Sequence, residues 1–389
     1  MSRLRFLIAA ALMLGAACTS SSKGKTDAAS GTAATTAPAT TSSTAAPATC
    51  PKLRPPEQLV APSNLADLQM VGPAKGFAVG KGTILVTDDG HTWGPRYSGG
   101  AAFLSVDAVD ATHAWAVGDR ALYATVDGGK RWLGVGSPDD GTVLRQVHFI
   151  DEHFGWGVGR NGKLYRSGDG GHTWGELMPP CGAEATCFTA QDDGWVAVGN
   201  RVAHSTSGGD SWTPVFSVPG QASEATWHPA ALQCTRGGVV WALFSRADAA
   251  AGHIPYALYR GTASGQWSLV AKEGMTAPDL PAAPNLGGYP APISILDADS
   301  AALVTFTGPA DPPVGLRVWS AGRGGLGPER KIPGLSTPMA AAFVSADAGW
   351  VLGTKTAAAA GGPSVDVILA TADGGQTWQE QYSRPSPTK

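Results

Sequence analysis

Leu144-Arg-Gln-Val-His-Phe-Ile-Asp151, Gly155-Trp-Gly-Val-Gly159, Lys163-Leu-Tyr-Arg166 and Ser167-Gly-Asp-Gly-Gly-His-Thr-Trp174 make up one unit of the sequence, and the unit recurs. The copy before it has Phe103 to Asp110, Ala114-Trp-Ala-Val-Gly118, Leu122-Tyr-Ala124 and Thr125-Val-Asp-Gly-Gly-Lys-Arg-Trp132. A first copy holds Gly76-Phe-Ala-Val-Gly80 and ends Asp88-Asp-Gly-His-Thr-Trp93, a fourth ends at Trp212, and a last one ends at Trp378. Two eroded copies lie between, around Trp241 to Trp267 and around Ile295 to Trp319. The terminal tryptophans of the first four copies are 39, 42 and 38 residues apart, and each interval holds four short β-rich runs without helical periodicity. Four strands per forty-odd residues, repeated, is the arithmetic of a propeller blade. The expectation is an all-β, seven-bladed β-propeller of four-stranded antiparallel blades over residues 51–389; a misread eroded copy would make six or eight.

The box ending each copy has a structural job. Its two glycines permit positive φ in a tight turn. Its aspartate (Asp88, Asp127, Asp169, Asp373) accepts backbone N–H bonds across the turn, with Ser207 as a shorter acceptor in the fourth copy. The closing tryptophans (Trp93, Trp132, Trp174, Trp212, Trp378) pack behind it. One carboxylate per box is too few for the six to eight oxygens calcium takes, so no metal is expected. Eleven of the thirteen tryptophans close boxes or sit in a second strand, which makes them core by position. Trp227 alone falls outside the repeat.

The N-terminus reads as an address. Arg3 and Arg5 precede an apolar run from Phe6 to Leu14 and then Gly15-Ala-Ala-Cys18, the order of a secretory signal over 1–17. Small residues directly before Cys18 resemble a bacterial lipoprotein signal, which implies acylation of Cys18. From Thr19 to Thr49, 26 of 31 residues are Ser, Thr, Ala or Pro, too few apolar groups to offset ordering entropy, so 18–50 is expected to be a flexible tether. The product is an exported lipoprotein on the extracytoplasmic face of the cell membrane. The other cysteines, Cys50, Cys181, Cys187 and Cys234, imply two disulfides in an exported chain. Three pairings are open. The favoured one closes a short Cys181–Cys187 loop and joins Cys50 to Cys234.

Composition narrows the function. With 28 basic and 31 acidic residues the formal net charge is −3, which gives no charge excess to hold nucleic acid. Gly157-Val-Gly-Arg-Asn-Gly162 spells a dinucleotide fingerprint but opens no helix, so no cofactor is implied. His91 and His172 fill variable places in box turns, and neither a nucleophile elbow nor an HExxH pair occurs.

On the boxes and the Gly-Trp-Ala-Val-Gly runs, the chain resembles the Asp-box, or BNR-repeat, propellers, and within them the photosystem II assembly/stability-factor type of bacterial proteins. Sialidases and xyloglucan-degrading glycosidases share the box, so the resemblance is specific for fold and nearly silent about function. The arginine motif of sialidases has its nearest match at Leu53-Arg-Pro-Pro56, without the middle aliphatic, and the loop acids Asp248, Asp279 and Asp311 have no partner across a sugar. No catalytic residue is assigned.

Alternating strands put the boxes on one face and five long connections, 217–230, 246–256, 272–291, 308–315 and 354–366, on the other. Long loops in a compact domain usually bind something. Trp227, His228, His253, Tyr256 and Tyr289 on those loops are the expected anchors for a partner. The reading is a monomeric, membrane-anchored scaffold that binds a protein of unknown identity. A cell-wall glycan, bound or cleaved, is the alternative.

Overall fold

The computed structural model describes residues 65–178, 181–219, 227–246, 253–273, 280–308, 314–355 and 364–385. The expectations for the signal segment, the tether, Cys18 and Cys50 fall outside them. Among the described residues the chain is β-structure apart from one short 3-10 turn at Ala321–Arg323.

The first sheet is six-stranded, in the order β1 (Leu65–Met70), β2 (Gly76–Thr87), β3 (Gly94–Ala108), β4 (Ala114–Gly118), β5 (Leu122–Thr125) and β6 (Leu133–Gly134). Three four-stranded sheets follow. They are β7 (Leu144–Phe149) to β10 (Gly175–Leu177) through β8 (Gly155–Gly159) and β9 (Leu164–Ser167), then β11 (Ala185–Phe188), β12 (Gly194–Val198), β13 (Arg201–Ser205) and β14 (Thr213–Ser217), then β15 (Trp227–Cys234), β16 (Val239–Arg246), β17 (Tyr256–Thr262) and β18 (Trp267–Lys272). The fifth sheet holds β19 (Ile293–Asp297), β20 (Ser300–Phe306), β21 (Val314–Ser320) and β22 (Gly325–Leu326), with β23 (Arg330–Lys331) also on β21. The last is β24 (Thr337–Phe343), β25 (Gly349–Lys355), β26 (Val365–Thr371) and β27 (Gln379–Pro385).

Among the described residues the propeller therefore has six hydrogen-bonded sheets, and the expected seven four-stranded blades are corrected to six. The reason lies in β3. Its first part pairs with β2 (Thr83 opposite Ser98) and its second with β4 (Phe103 opposite Gly118), so strands of two sequence repeats run on as one. Gly99 and Gly100 lie within this strand and are not at positive φ.

Second strands such as β4 and β8 are buried along their whole length, because each lies mid-sheet between two covering sheets. Fourth strands such as β6 are exposed. Successive repeats interlock through stacked aromatic pairs: the ring centres of Trp115 and Phe149 lie 3.6 Å apart and those of Trp156 and Phe188 3.7 Å apart, each pair nearly parallel. The ring closes by packing of Leu65, Leu68, Leu85 and Trp93 on Ala340, Trp350, Leu352 and Ile368, and among the described residues no strand is exchanged between first and last sheets.

Candidate functional site

In the third box, Ser167 Oγ bonds to Asp169 and accepts the Gly171 N–H, while Asp169 accepts the Thr173 N–H at 2.9 Å and its hydroxyl at 2.6 Å. The second and last boxes repeat this with Thr125/Asp127/Arg131 and Thr371/Asp373/Thr377. Ser207 substitutes in the fourth and accepts the Ser211 N–H at 2.9 Å. The Arg131 N–H and side chain hold Asp127 down at about 2, and the Thr377 hydroxyl and N–H hold Asp373 there too. Burial pushes Asp169 up, but the Thr173 bonds outweigh it and leave it low. Each carboxylate is thus used up by its own turn.

One assignment shifts by a residue. The first box is shorter, and Asp89, not Asp88, takes the aspartate role: it accepts the His91 and Thr92 N–H groups at 2.8 and 2.7 Å and bonds to Thr87 Oγ1. Asp88 points elsewhere and pairs with Lys75 at 2.6 Å and Arg96 at 3.2 Å.

The boxes also connect repeats. Trp115 Nε1 donates to Gly170 O of the next box at 2.8 Å, Trp156 Nε1 to Gly208 O at 2.9 Å, and Trp350 Nε1 to Gly90 O of the first box at 3.2 Å. Trp195 Nε1 and Trp241 Nε1 are buried without an acceptor, and both precede repeats whose box is eroded.

A second polar system, not read from the sequence, surrounds the axis. The innermost strands border a channel of about 1310 Å³. Asp67 on β1 accepts the Val106 N–H of β3 at 2.9 Å, and Gln69 bonds both backbone groups of Ala108. Asp107 accepts the Phe149 N–H of β7 at 2.5 Å, and His148 Nε2 donates to Phe188 O of β11 at 2.8 Å. Gln233 of β15 bonds Ile293 O and the Ile295 N–H of β19, and Ser294 accepts the Phe343 N–H of β24. An inner strand has one unpaired edge, and these side chains satisfy it. Burial pushes Asp67 up to about 6 and raises Asp107 despite His148 beside it.

Between β11 and β15 the stitch is covalent, a Cys187–Cys234 disulfide with Cα atoms 6.0 Å apart. This corrects the favoured Cys181–Cys187 and Cys50–Cys234 pairing. Inner strands far apart in sequence are neighbours in space, and spatial neighbours bond. Cys181 is disulfide-bonded as well.

The five expected anchors separate. Trp227 is 3% exposed, packs with Trp195, Leu232 and Phe244, and carries Arg246 over its ring. Tyr256 is 1% exposed; its hydroxyl bonds Asn285 and Gly287 O and accepts the Leu286 N–H. Burial raises its pKa well above the ordinary phenol value. Both are core side chains. His228 is partly exposed and lies 3.0 Å from Glu184, and His253 is partly exposed and lies 3.5 Å from the buried Glu273. Tyr289 packs on Phe306 and borders the channel. The structure brings His253 and Tyr289 into one neighbourhood, around Gly288 and Gly308, whereas His228, on β15 of the sheet whose connection carries His253, faces Glu184 just before β11. Asp248, Asp279 and Asp311 lie outside the described residues.

No known family of sequences and no curated protein matches the chain. Solved structures do. YCF48 from Cyanidioschyzon merolae is similar over 81% of this chain and 97% of its own, with a TM-score of 0.54 and 17% identity. The GH74 xyloglucanase from Xanthomonas campestris aligns over 82% of this chain and 67% of its own, with a TM-score of 0.54 and 13% identity. An ancestral GH74 enzyme aligns over 87% of this chain but 48% of its own, with a TM-score of 0.53 and 12% identity. At such identities the likeness is one of fold: this chain is a β-propeller, and its relatives in shape include carbohydrate-cleaving enzymes.

Proposed function

We propose that the chain is an exported, lipid-anchored propeller that holds a protein partner on the face carrying its long connections, and that it works by binding and not by turnover. One observation carries this reading. Among the described residues, the box acids Asp169 and Asp373 and the inner-strand acids Asp67 and Asp107 are engaged in holding the fold, in box turns or in stitches between inner strands. The partly exposed His253 and Tyr289, in contrast, sit on connections long enough to be costly without a use. The likeness to YCF48 is compatible with it, as a match over nearly that protein's whole length.

Crosslinking on intact cells, read by mass spectrometry, tests the proposal. The protein should yield one dominant partner, and His253→Ala with Tyr289→Ala should cut its yield at least tenfold by removing anchor contacts worth roughly 1–2 kcal/mol each. An unchanged yield rejects the face. Turnover of xyloglucan or of a fluorogenic sialoside by the purified chain rejects the non-enzymatic reading in favour of the glycan one. Cys18→Ser should release the chain from the membrane fraction; retention rejects the anchor.

A further inference from the structure

Arg145 is the residue inserted by the bulge at the start of β7, between Leu144 and Gln146 in their pairing with β8. Bulges re-aim side chains and occur beside binding sites. The side chain is partly exposed, yet its Nε is sealed from solvent and meets no acceptor. No carboxylate lies within 4 Å of it among the described residues. Glu184 is the acid beside it, close enough to be felt electrostatically, but that carboxylate is already engaged: Oε1 accepts the Gly199 N–H at 2.9 Å and Oε2 faces His228 at 3.0 Å. Burial lowers the Arg145 pKa and Glu184 opposes the shift.

A guanidinium presents five donors in a fixed fork, cannot shed its proton, and is expensive to desolvate without an anion. Here that cost falls on Nε, with no structural return in view. A second arginine lies on the adjoining turn: the Arg160 backbone N–H bonds Val143 O, two residues from Arg145, at 3.0 Å, and the exposed Arg160 side chain has no acidic partner within 4 Å among the described residues. The acid on the adjoining loop, Asp140, is occupied by Lys163 and Tyr165. We propose that Arg145, with Arg160 on the adjoining turn, is a binding site for an oxyanion, a carboxylate or a phosphate. The inference is independent of the protein-partner reading, which concerns the other half of the same face.

The full chain is tested by thermal unfolding in inorganic phosphate and, separately, in acetate, each at 20 mM against sodium chloride of equal ionic strength. Phosphate should raise the midpoint by about 2 °C for a millimolar site. A response to acetate of the same size assigns a carboxylate ligand, and a response to phosphate alone assigns a phosphate. Arg145→Gln should abolish the response. Arg145→Met should abolish it too and raise the anion-free midpoint, because an unpaired cation is replaced by an apolar chain of similar length. The proposal is overturned if neither anion acts, if Arg145→Gln responds like the parent protein, or if Arg145→Met unfolds at lower temperature, which would mean the guanidinium is paired in solution.

Discussion

An indole N–H decides how one repeat meets the next. Trp156 donates to the carbonyl of Gly208 in the following box, whereas Trp195, at the equivalent place, has no box ahead of it and leaves its N–H unpaired. Both rings are fully buried, so replacing either by Phe removes similar volume, but only Trp156→Phe also removes a hydrogen bond, leaving Gly208 O with the longer bond from Arg166 Nη1 at 3.4 Å. Trp156→Phe is expected to destabilise by about 1 kcal/mol more than Trp195→Phe, read from urea midpoints at constant slope. Equal costs would mean the bond contributes nothing. A second contrast concerns the first box. Asp89→Ala removes the acceptor of two backbone N–H groups, while Asp88→Ala removes only surface ion pairs of little net worth. Asp89→Ala should lower the melting midpoint clearly more than Asp88→Ala, and the reverse order would restore the sequence-based assignment.

At the scale of strands, the repeat was legible because Gly-Trp-Ala-Val-Gly and the box are local signals that need no partner. Two things were not. Ser98-Gly-Gly-Ala101 has the composition of a turn, but whether glycines bend or stay extended is settled by the strands on either side, and here both neighbours pair with β3. The polar residues of the inner strands were also opaque. Asp67 and Gln69 on β1, or Gln146 and His148 on β7, alternate with apolar residues, and period-two polarity reads as a solvent-facing edge. Their partners lie about forty residues on, one repeat away, so only the ring brings the two together. The same argument explains the cysteines: nearness in sequence favoured Cys181–Cys187, while adjacency of β11 and β15 gives Cys187–Cys234, across 47 residues. Removing that bridge as Cys187→Ala with Cys234→Ala should cost about 2–4 kcal/mol, a loss measurable by urea unfolding under non-reducing conditions. A cost below about 1 kcal/mol would show that the noncovalent packing of the two strands suffices.

For the molecule as a whole, the two acid systems respond to pH in opposite directions. Asp127 and Asp373 have folded values near 2, below the unfolded carboxylate, so their contribution is present above about pH 4 and is lost as pH falls toward 2. Asp67 has a folded value near 6, above the unfolded 3.8, so its contribution is full below about pH 4 and is lost as pH rises through 6. The physical cause is that the unfolded chain ionises freely in water, whereas the folded chain must ionise Asp67 on the channel wall, where two N–H donors offset only part of the desolvation. Asp107 is shifted the same way and adds to the slope. Scanning calorimetry at pH 4.5, 5.5, 6.5 and 7.5 should therefore show a midpoint that declines across this range. In Asp67→Asn, which cannot ionise, the decline should be shallower, whatever the variant's absolute stability. Parallel curves for the two proteins would mean that Asp67 does not titrate in this window, and that the inner ring is wetter than its bonds to neighbouring strands imply.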